Sequence, residues 1–270
     1  MTKAQLILLF LLANLNSAIA QDYSEIKNTI TFSKVLDKAK TIKKIEDVVS
    51  EPQNIVSLKL LIKDSSDFVK LISQIPKLKN LRKVTIDNYY DFNLVLPQEF
   101  WQLSQLEFVS LHNIRINDFR GLESLTKIKY LTLMGARLKT IPNEIYQLSN
   151  LEYLDFNLNY LDSISEDIVR LKKIRELDLT NNCFTRIPRS VTKLSALEYL
   201  DFDNSETAND KFIDGISFCY NRLSSYPDLS KMSALKKINV YQLLVTDQAI
   251  IKKLNSEKRF SGKIKIANKS

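Results

Sequence analysis

Apolar residues in the middle of this chain recur at a fixed interval. Leu151, Leu154, Phe156, Asn159 and Leu161 reappear as Ile174, Leu177, Leu179, Asn182 and Phe184, each shifted by 23 residues. Ile164, Ile168 and Leu171 likewise return as Ile187, Val191 and Leu194. Such a period marks a solenoid, whose units bury their apolar faces only against one another. Alternation at Leu154/Phe156 and Leu177/Leu179 predicts short strands with one buried face. Stacked unit on unit, they form a parallel sheet whose intervening residues point outward. Asn159 and Asn182 stand where the chain turns away, and their amides suit backbone groups that would otherwise be unpaired. Ile141-Pro142 and Ile187-Pro188 then predict short helical returns. Each unit offers roughly six apolar side chains, worth about 1.5–3 kcal/mol apiece before ordering entropy.

The phase extends toward both ends. Ile55/Leu58/Leu60, Leu81/Val84/Ile86, Leu106/Val109/Leu111 and Ile128/Leu131/Leu133 precede the clear repeats at steps of 26, 25, 22 and then 23 to Leu151. Ile114 and Ala136 occupy the turn position where asparagine is expected, which predicts irregular turns there. Trp101 falls in a return and reads as core. After Leu197, Leu200 and Phe202 the polar stretch Asp203–Lys211 breaks the period. Phase resumes at Ile213, Ile216, Phe218, Asn221 and Leu223, then at Leu235, Ile238 and Val240. The interval of 38 from Leu197 to Leu235 fits an insertion within one repeat, or a shortened repeat beside a normal one. Insertions in solenoids emerge on one face, often the binding face.

The ends follow other rules. Lys3, the apolar run Leu6–Ala13 and the small-x-small Ala18-Ile19-Ala20 predict a signal peptide over residues 1–20, cleaved after Ala20. Asn14 and Asn16 interrupt the run before the roughly 20 apolar residues a membrane span needs. No cysteine follows it to take a lipid, and Ser261–Ser270 lacks a glycolipid-anchor tail. A secreted or periplasmic protein without membrane insertion is expected. Residues 21–54 carry Phe32, Val35, Leu36, Ala39, Ile42, Ile45, Val48 and Val49 at helical spacing, closed by Pro52, and predict an N-terminal helical cap. Residues 55–242 are the repeats, with the insertion near 203–212. Residues 243–270 read as a C-terminal cap, a helix after Asp247 and an edge strand at Ile264/Ile266.

The spacing L-x-x-L-x-L-x-x-N-x-L resembles the leucine-rich repeat family, in a bacterial form of about 22–24 residues per unit with an Ile-Pro return. The resemblance implies an α/β right-handed solenoid with a curved parallel sheet on its concave face and short helical returns on the convex face. It also implies a non-catalytic module that recognises proteins, or in some members glycans, through the concave side. Family members from animals often carry cysteine-rich caps, which this chain lacks, so the bacterial type fits better.

The net charge of +8 comes from scattered Lys/Arg doublets such as Lys43-Lys44 and Lys172-Lys173. Nothing concentrates them on one face, and no nucleic-acid module accompanies them. Cys183 and Cys219 fit no metal motif, and the repeat phase leaves their pairing open. Asp201-x-Asp203-x-Ser205 begins like a calcium loop. It fails at Glu206, where glycine is needed, and at Phe212, where the bidentate acid belongs. No cofactor motif is present.

Aligning outward strand positions gives two columns. Lys83, Phe108, Tyr130, Tyr153, Glu176 and Tyr199 form an aromatic row expected to be exposed; Thr85, Ser110, Thr132, Asp155, Asp178 and Asp201 turn acidic toward the C-terminal side. Aromatics give large contact area with little rotamer loss. Carboxylates one strand spacing apart, about 4.8 Å, repel and favour a cationic partner. Phe108, Tyr130, Tyr153, Asp155, Glu176, Asp178, Tyr199 and Asp201 are therefore the candidate ligand-binding residues. The alternatives are a structural envelope spacer, a glycan-binding adhesin and, least favoured, a hydrolase. The single histidine, His112, shares a strand face with Ser110; a triad would also need an orienting acid within reach, and nothing forms an oxyanion hole or a nucleophile elbow. Asp155 and Asp178 have the spacing of a retaining glycosidase pair, without cleft walls to raise one pKa.

Overall fold

A computed structural model describes residues 26–88, 93–203, 219–223, 227–229 and 231–239. Among these residues nine parallel strands form one open sheet. They are β1 (Thr41–Ile42), β2 (Ser57–Ile62), β3 (Lys83–Asn88), β5 (Phe108–His112), β7 (Tyr130–Met134), β8 (Tyr153–Asp155), β9 (Glu176–Asp178), β10 (Tyr199–Asp201) and β11 (Lys237–Asn239). The small strands β4 (Val95–Leu96) and β6 (Arg115–Ile116) pair separately. Register follows the sequence period: Ser57 faces Lys83, Lys83 faces Phe108, and Phe108, Tyr130, Tyr153, Glu176 and Tyr199 follow in one row. The alternating residues Leu58, Val84, Val109, Leu131, Leu154, Leu177, Leu200 and Ile238 point the other way and are fully or nearly fully buried.

The returns are mostly single 3-10 turns. Ile145–Gln147 begins when Ile145 N donates to the Pro142 carbonyl at 3.1 Å, and Val191–Lys193 begins in the same way from Pro188. Proline supplies a fixed φ and lacks only a donor that the first turn does not use. The ten-residue helix Ser65–Gln74 is the long return, capped by Asp64 accepting from Ser66 N and Asp67 N. Trp101 is fully buried, stacks on Phe119 and donates Nε1–H to the Asp118 carbonyl at 2.9 Å.

The turn asparagines are fully engaged. Asn182 Oδ1 accepts from Leu161 N at 3.0 Å, and its Nδ2 donates to the carbonyls of Phe156 and Leu179 at 2.9 and 3.1 Å. Asn159 repeats this with Leu138 N, Leu133 and Phe156. The residue before the turn position is left-handed in four successive repeats: Asn113 (φ 56°), Gly135 (65°), Leu158 (58°) and Asn181 (53°). At the degenerate turns, Ile114 and Ala136 are buried as core. Beside the first of them, Asn88 Nδ2 donates to the Asn113 carbonyl at 2.8 Å.

Across the broken period, Tyr199 pairs directly with Lys237, so no strand intervenes between β10 and β11. Asn221 serves as the turn residue of the repeat that β10 begins. It accepts from Phe184 N at 3.0 Å and donates to the Phe202 carbonyl at 3.0 Å. The extra residues thus lie within one repeat, between its strand and its turn. Cys183 and Cys219 form a disulfide with Cα atoms 5.0 Å apart, tying the return of the insertion to the preceding repeat. Residues 204–218, with most of the expected insertion, and the C-terminal cap over 243–270 lie outside the described residues, as does the signal-like segment.

The N-terminal cap differs from its expected form. Its later part does cover the solenoid end: β1 adds to β2, and the helix Ile45–Ser50 buries Ile45 and Val48. Residues 26–33 instead cross the concave face. Of the residues at helical spacing, Ile45 and Val48 are buried while Val35 and Val49 are exposed, and Ile26 and Ile30 pack on the aromatic row.

Candidate functional site

The concave face is built from the outward columns. Phe108, Tyr130 and Tyr153 stack ring on ring with centroids 4.1 Å apart and planes within 7–8°. Parallel register at successive strands imposes that stack. The row forms as aligned, but it is not exposed: Phe108, Tyr130, Tyr153 and Glu176 are all buried, while Tyr199 is half-buried.

What covers it is the segment Ile26–Ser33. One 3-10 turn, Lys27–Thr29, puts Ile26 and Ile30 on the same side, and both enter a cluster with Phe108, Tyr130 and Tyr153. Phe32 meets Phe108 edge-on at 6.0 Å. The Lys27 ammonium sits 5.4 Å from the Phe108 ring centroid and 5.8 Å from that of Tyr130. Polar ties run along the rim where the strands begin. Ile26 N donates to Glu176 Oε2 at 3.1 Å and Ser33 N to Glu107 Oε2 at 2.7 Å. Arg175 donates to Thr29 Oγ1 at 2.9 Å, and Lys129 Nζ to the Thr31 carbonyl.

Electrostatics follow from this cover. Burial, with Lys83 and Lys59 nearby, lowers the Lys27 pKa to about 8. Burial alone would raise Glu107, but the Ser33 N–H and Arg82 hold it below the usual carboxylate range. Burial raises the Tyr130 and Tyr153 hydroxyls well above the ordinary phenol value, helped by the Asp155 charge.

In the second column, Asp155, Asp178 and Asp201 stand on adjacent strands in register. Each caps the turn that follows: Asp155 Oδ1 accepts from Asn157 N (2.6 Å), Asp178 Oδ1 from Thr180 N (2.8 Å), and Asp201 Oδ1 from Asp203 N (2.8 Å). The acidic column thereby acquires a structural cause, since each strand end needs a backbone donor satisfied. Burial raises all three carboxyls, Asp155 to about 6 and Asp178 well above its ordinary value, with mutual repulsion adding to the first two. Asp155 is buried; Asp178 and Asp201 are half-buried.

The strand alignment also supplies what the sequence reading of His112 lacked. Asp87 stands opposite His112 in the β3–β5 register and pairs with its Nδ1, while His112 Nε2 lies 2.8 Å from Ser110 Oγ. The 25-residue step between these repeats was the signal that would have placed Asp87 there. The three resemble a nucleophile relay in order, but not in setting. Ser110 is buried mid-strand between two parallel neighbours, whose ladder uses the backbone N–H groups that an oxyanion hole requires. Among the described residues no cluster of metal-ligating side chains occurs, and no helix is long and apolar enough to cross a membrane.

An α/β solenoid of stacked parallel strands and asparagine-sealed turns defines the class. The chain belongs to the leucine-rich repeat family: the family model for a leucine-rich repeat region matches residues 112–255, more than half of the chain. Solved structures agree on the fold. The chain is similar to Listeria monocytogenes InlP at 14% identity and TM-score 0.55, covering 95% of this chain and 67% of that one. It is also similar to an internalin, InlF, from Listeria monocytogenes at 14% identity and TM-score 0.51, covering 73% of this chain. It spans 57% of that internalin's length. No curated protein matches in sequence. The leucine-rich repeat fold commonly serves as a protein-interaction module.

Proposed function

We propose that this is an exported, non-catalytic recognition protein that binds a protein partner through its concave face. The observation that carries the reading is the continuous ladder from Phe108 through Tyr199, with Asp155, Asp178 and Asp201 beside it. With Phe108, Tyr130 and Tyr153 beneath Ile26–Ser33, the face offers a partner Tyr199 for rigid apolar contact beside carboxylates that favour cationic groups. Its more accessible part is the C-terminal side, where Tyr199, Asp178 and Asp201 are half-buried. Export is supported by the signal-like sequence of residues 1–20 and by the Cys183–Cys219 disulfide, a bond that persists in oxidising compartments.

The test is a pull-down from envelope and secreted fractions, comparing wild type with Tyr199→Ala/Asp178→Asn/Asp201→Asn. The asparagines keep the turn-capping oxygens, so folding should be preserved. A partner captured by wild type and lost in the folded variant supports concave recognition. Capture of the same set by both favours a structural spacer.

A further inference from the structure

The strongest unexplained feature is that the recognition face is already occupied. Ile26 and Ile30 are 1% and 6% exposed, as buried as core residues, yet they belong to a cluster separate from the solenoid core. The occupant is a single helical turn followed by extended chain. Two aliphatic side chains four residues apart meet the stacked rings, and an aromatic two residues further meets Phe108. Glu176 and Glu107 accept its first and last backbone N–H groups, and Lys129 and Arg175 donate to its middle.

We propose that Ile26–Ser33 is a built-in stand-in for the partner. On this reading the concave face takes a peptide segment with aliphatic residues at i and i+4 and an aromatic at i+6, and that segment must displace the chain's own. The inference rests on concave recognition as the function, and it names what is recognised and how access is controlled.

Two observations favour a displaceable stand-in over a fixed part of the fold. Among the described residues, the hydrogen bonds from the segment to Glu176, Glu107, Lys129 and Arg175 each run through a side chain, so its release unpairs no strand. The strands beneath it pack their alternating residues Val109, Leu131 and Leu154 into the separate solenoid core, and their ladder includes no residue of the segment. A tethered competitor acts at an effective concentration in the millimolar range, enough to suppress a micromolar ligand without abolishing it.

The test uses the full mature chain and a fluorescein-labelled peptide with the sequence of residues 24–34, SEIKNTITFSK. Fluorescence anisotropy compares wild type with Ile26→Asp/Ile30→Asp, whose own segment cannot dock. The expected result is binding by the variant about tenfold or more tighter than by wild type, lost on adding Tyr153→Ala. A peptide of reversed sequence should not bind. Equal affinity in wild type and variant, no binding to either, or equal binding of the reversed peptide would overturn the proposal. If the aspartate variant misfolds, Lys129→Ala/Arg175→Ala loosens the segment without placing charge on the rings and carries the same expectation. Peptide binding alongside unchanged capture in the pull-down would refute the functional reading, and with it the stand-in role, while still showing that the segment can be displaced. Lost capture without peptide binding would refute this inference and leave the functional reading standing.

Discussion

Glu176 on β9 accepts a hydrogen bond from the backbone N–H of Ile26, 150 residues earlier, at 3.1 Å. That bond closes the concave face with the chain's own N-terminal segment. It also accounts for the partner of a carboxylate that stands in an otherwise aromatic row.

Glu176→Ala should therefore loosen the segment and little else. Losing a charged acceptor for a buried donor costs about 1–3 kcal/mol. Hydrogen exchange at the Ile30 amide, which is bonded to the Ile26 carbonyl at 3.2 Å, should accelerate roughly 5- to 150-fold. Amides of β7 and β8 should keep wild-type protection. Uniform acceleration across the sheet would show that the segment is part of the global fold.

Asn182 is the opposite case, a residue whose loss the whole solenoid should register. It is fully buried, and Asn182→Ala leaves Leu161 N–H and the carbonyls of Phe156, Leu179 and Thr180 without their amide partner. We expect a loss of about 2–4 kcal/mol in denaturant unfolding. A change under about 0.5 kcal/mol would mean that water replaces the amide.

How much of this was legible depended on whether a contact repeats. The strand rows, the register steps and the asparagine turns recur every 22–26 residues through most of the chain, so one unit informs the next. The aromatic row followed from the same alignment. Its cover did not. Ile26, Ile30 and Phe32 announce an apolar side locally, but nothing local says that it packs against Tyr153 rather than the solenoid end. Asp87 beside His112 was within reach of the register, whereas the pairing of Cys183 with Cys219 depended on where the insertion sits.

Asp155 gives a pH test with a definite sign. Its folded pKa, about 6, lies above the unfolded value of about 3.9, chiefly because it is buried. Between those values the native state holds the extra proton, so the carboxyl's contribution becomes less favourable as pH rises through about 6. Asp155→Asn keeps the oxygen that caps Asn157 N–H. The substitution should stabilise the fold at pH 7 by up to about 2–3 kcal/mol, with the gain vanishing below about pH 4. Melting curves of both proteins from pH 4 to 7.5 check this, and a difference independent of pH would refute it.

The disulfide closes a separation of 36 residues around the insertion. Restricting an unfolded loop of that length is worth about 3–4 kcal/mol in the chain-entropy account. Reduction should lower the unfolding midpoint of wild type by a corresponding amount. Cys183→Ser/Cys219→Ser should start at the lower midpoint and ignore reductant. Equal midpoints for oxidised and reduced wild type would mean that the insertion is held by the Asn221 contacts alone.

The left-handed turn position offers paired substitutions with opposite expected signs. Gly135 and Leu158 occupy equivalent places at φ 65° and 58°, one suited to that conformation and one not. A Cβ on Gly135 would run into the Asn113 side chain as well as imposing the strained backbone. Gly135→Ala should therefore destabilise by about 1–3 kcal/mol. Leu158→Asn replaces a half-buried leucine with a residue that tolerates the left-handed region, as Asn113 and Asn181 already do. The strain relieved, about 1 kcal/mol, exceeds the partial burial lost, so a small gain in midpoint is expected. Destabilisation by Leu158→Asn comparable to that of Gly135→Ala would show that packing of the leucine, rather than turn geometry, sets the residue at this position.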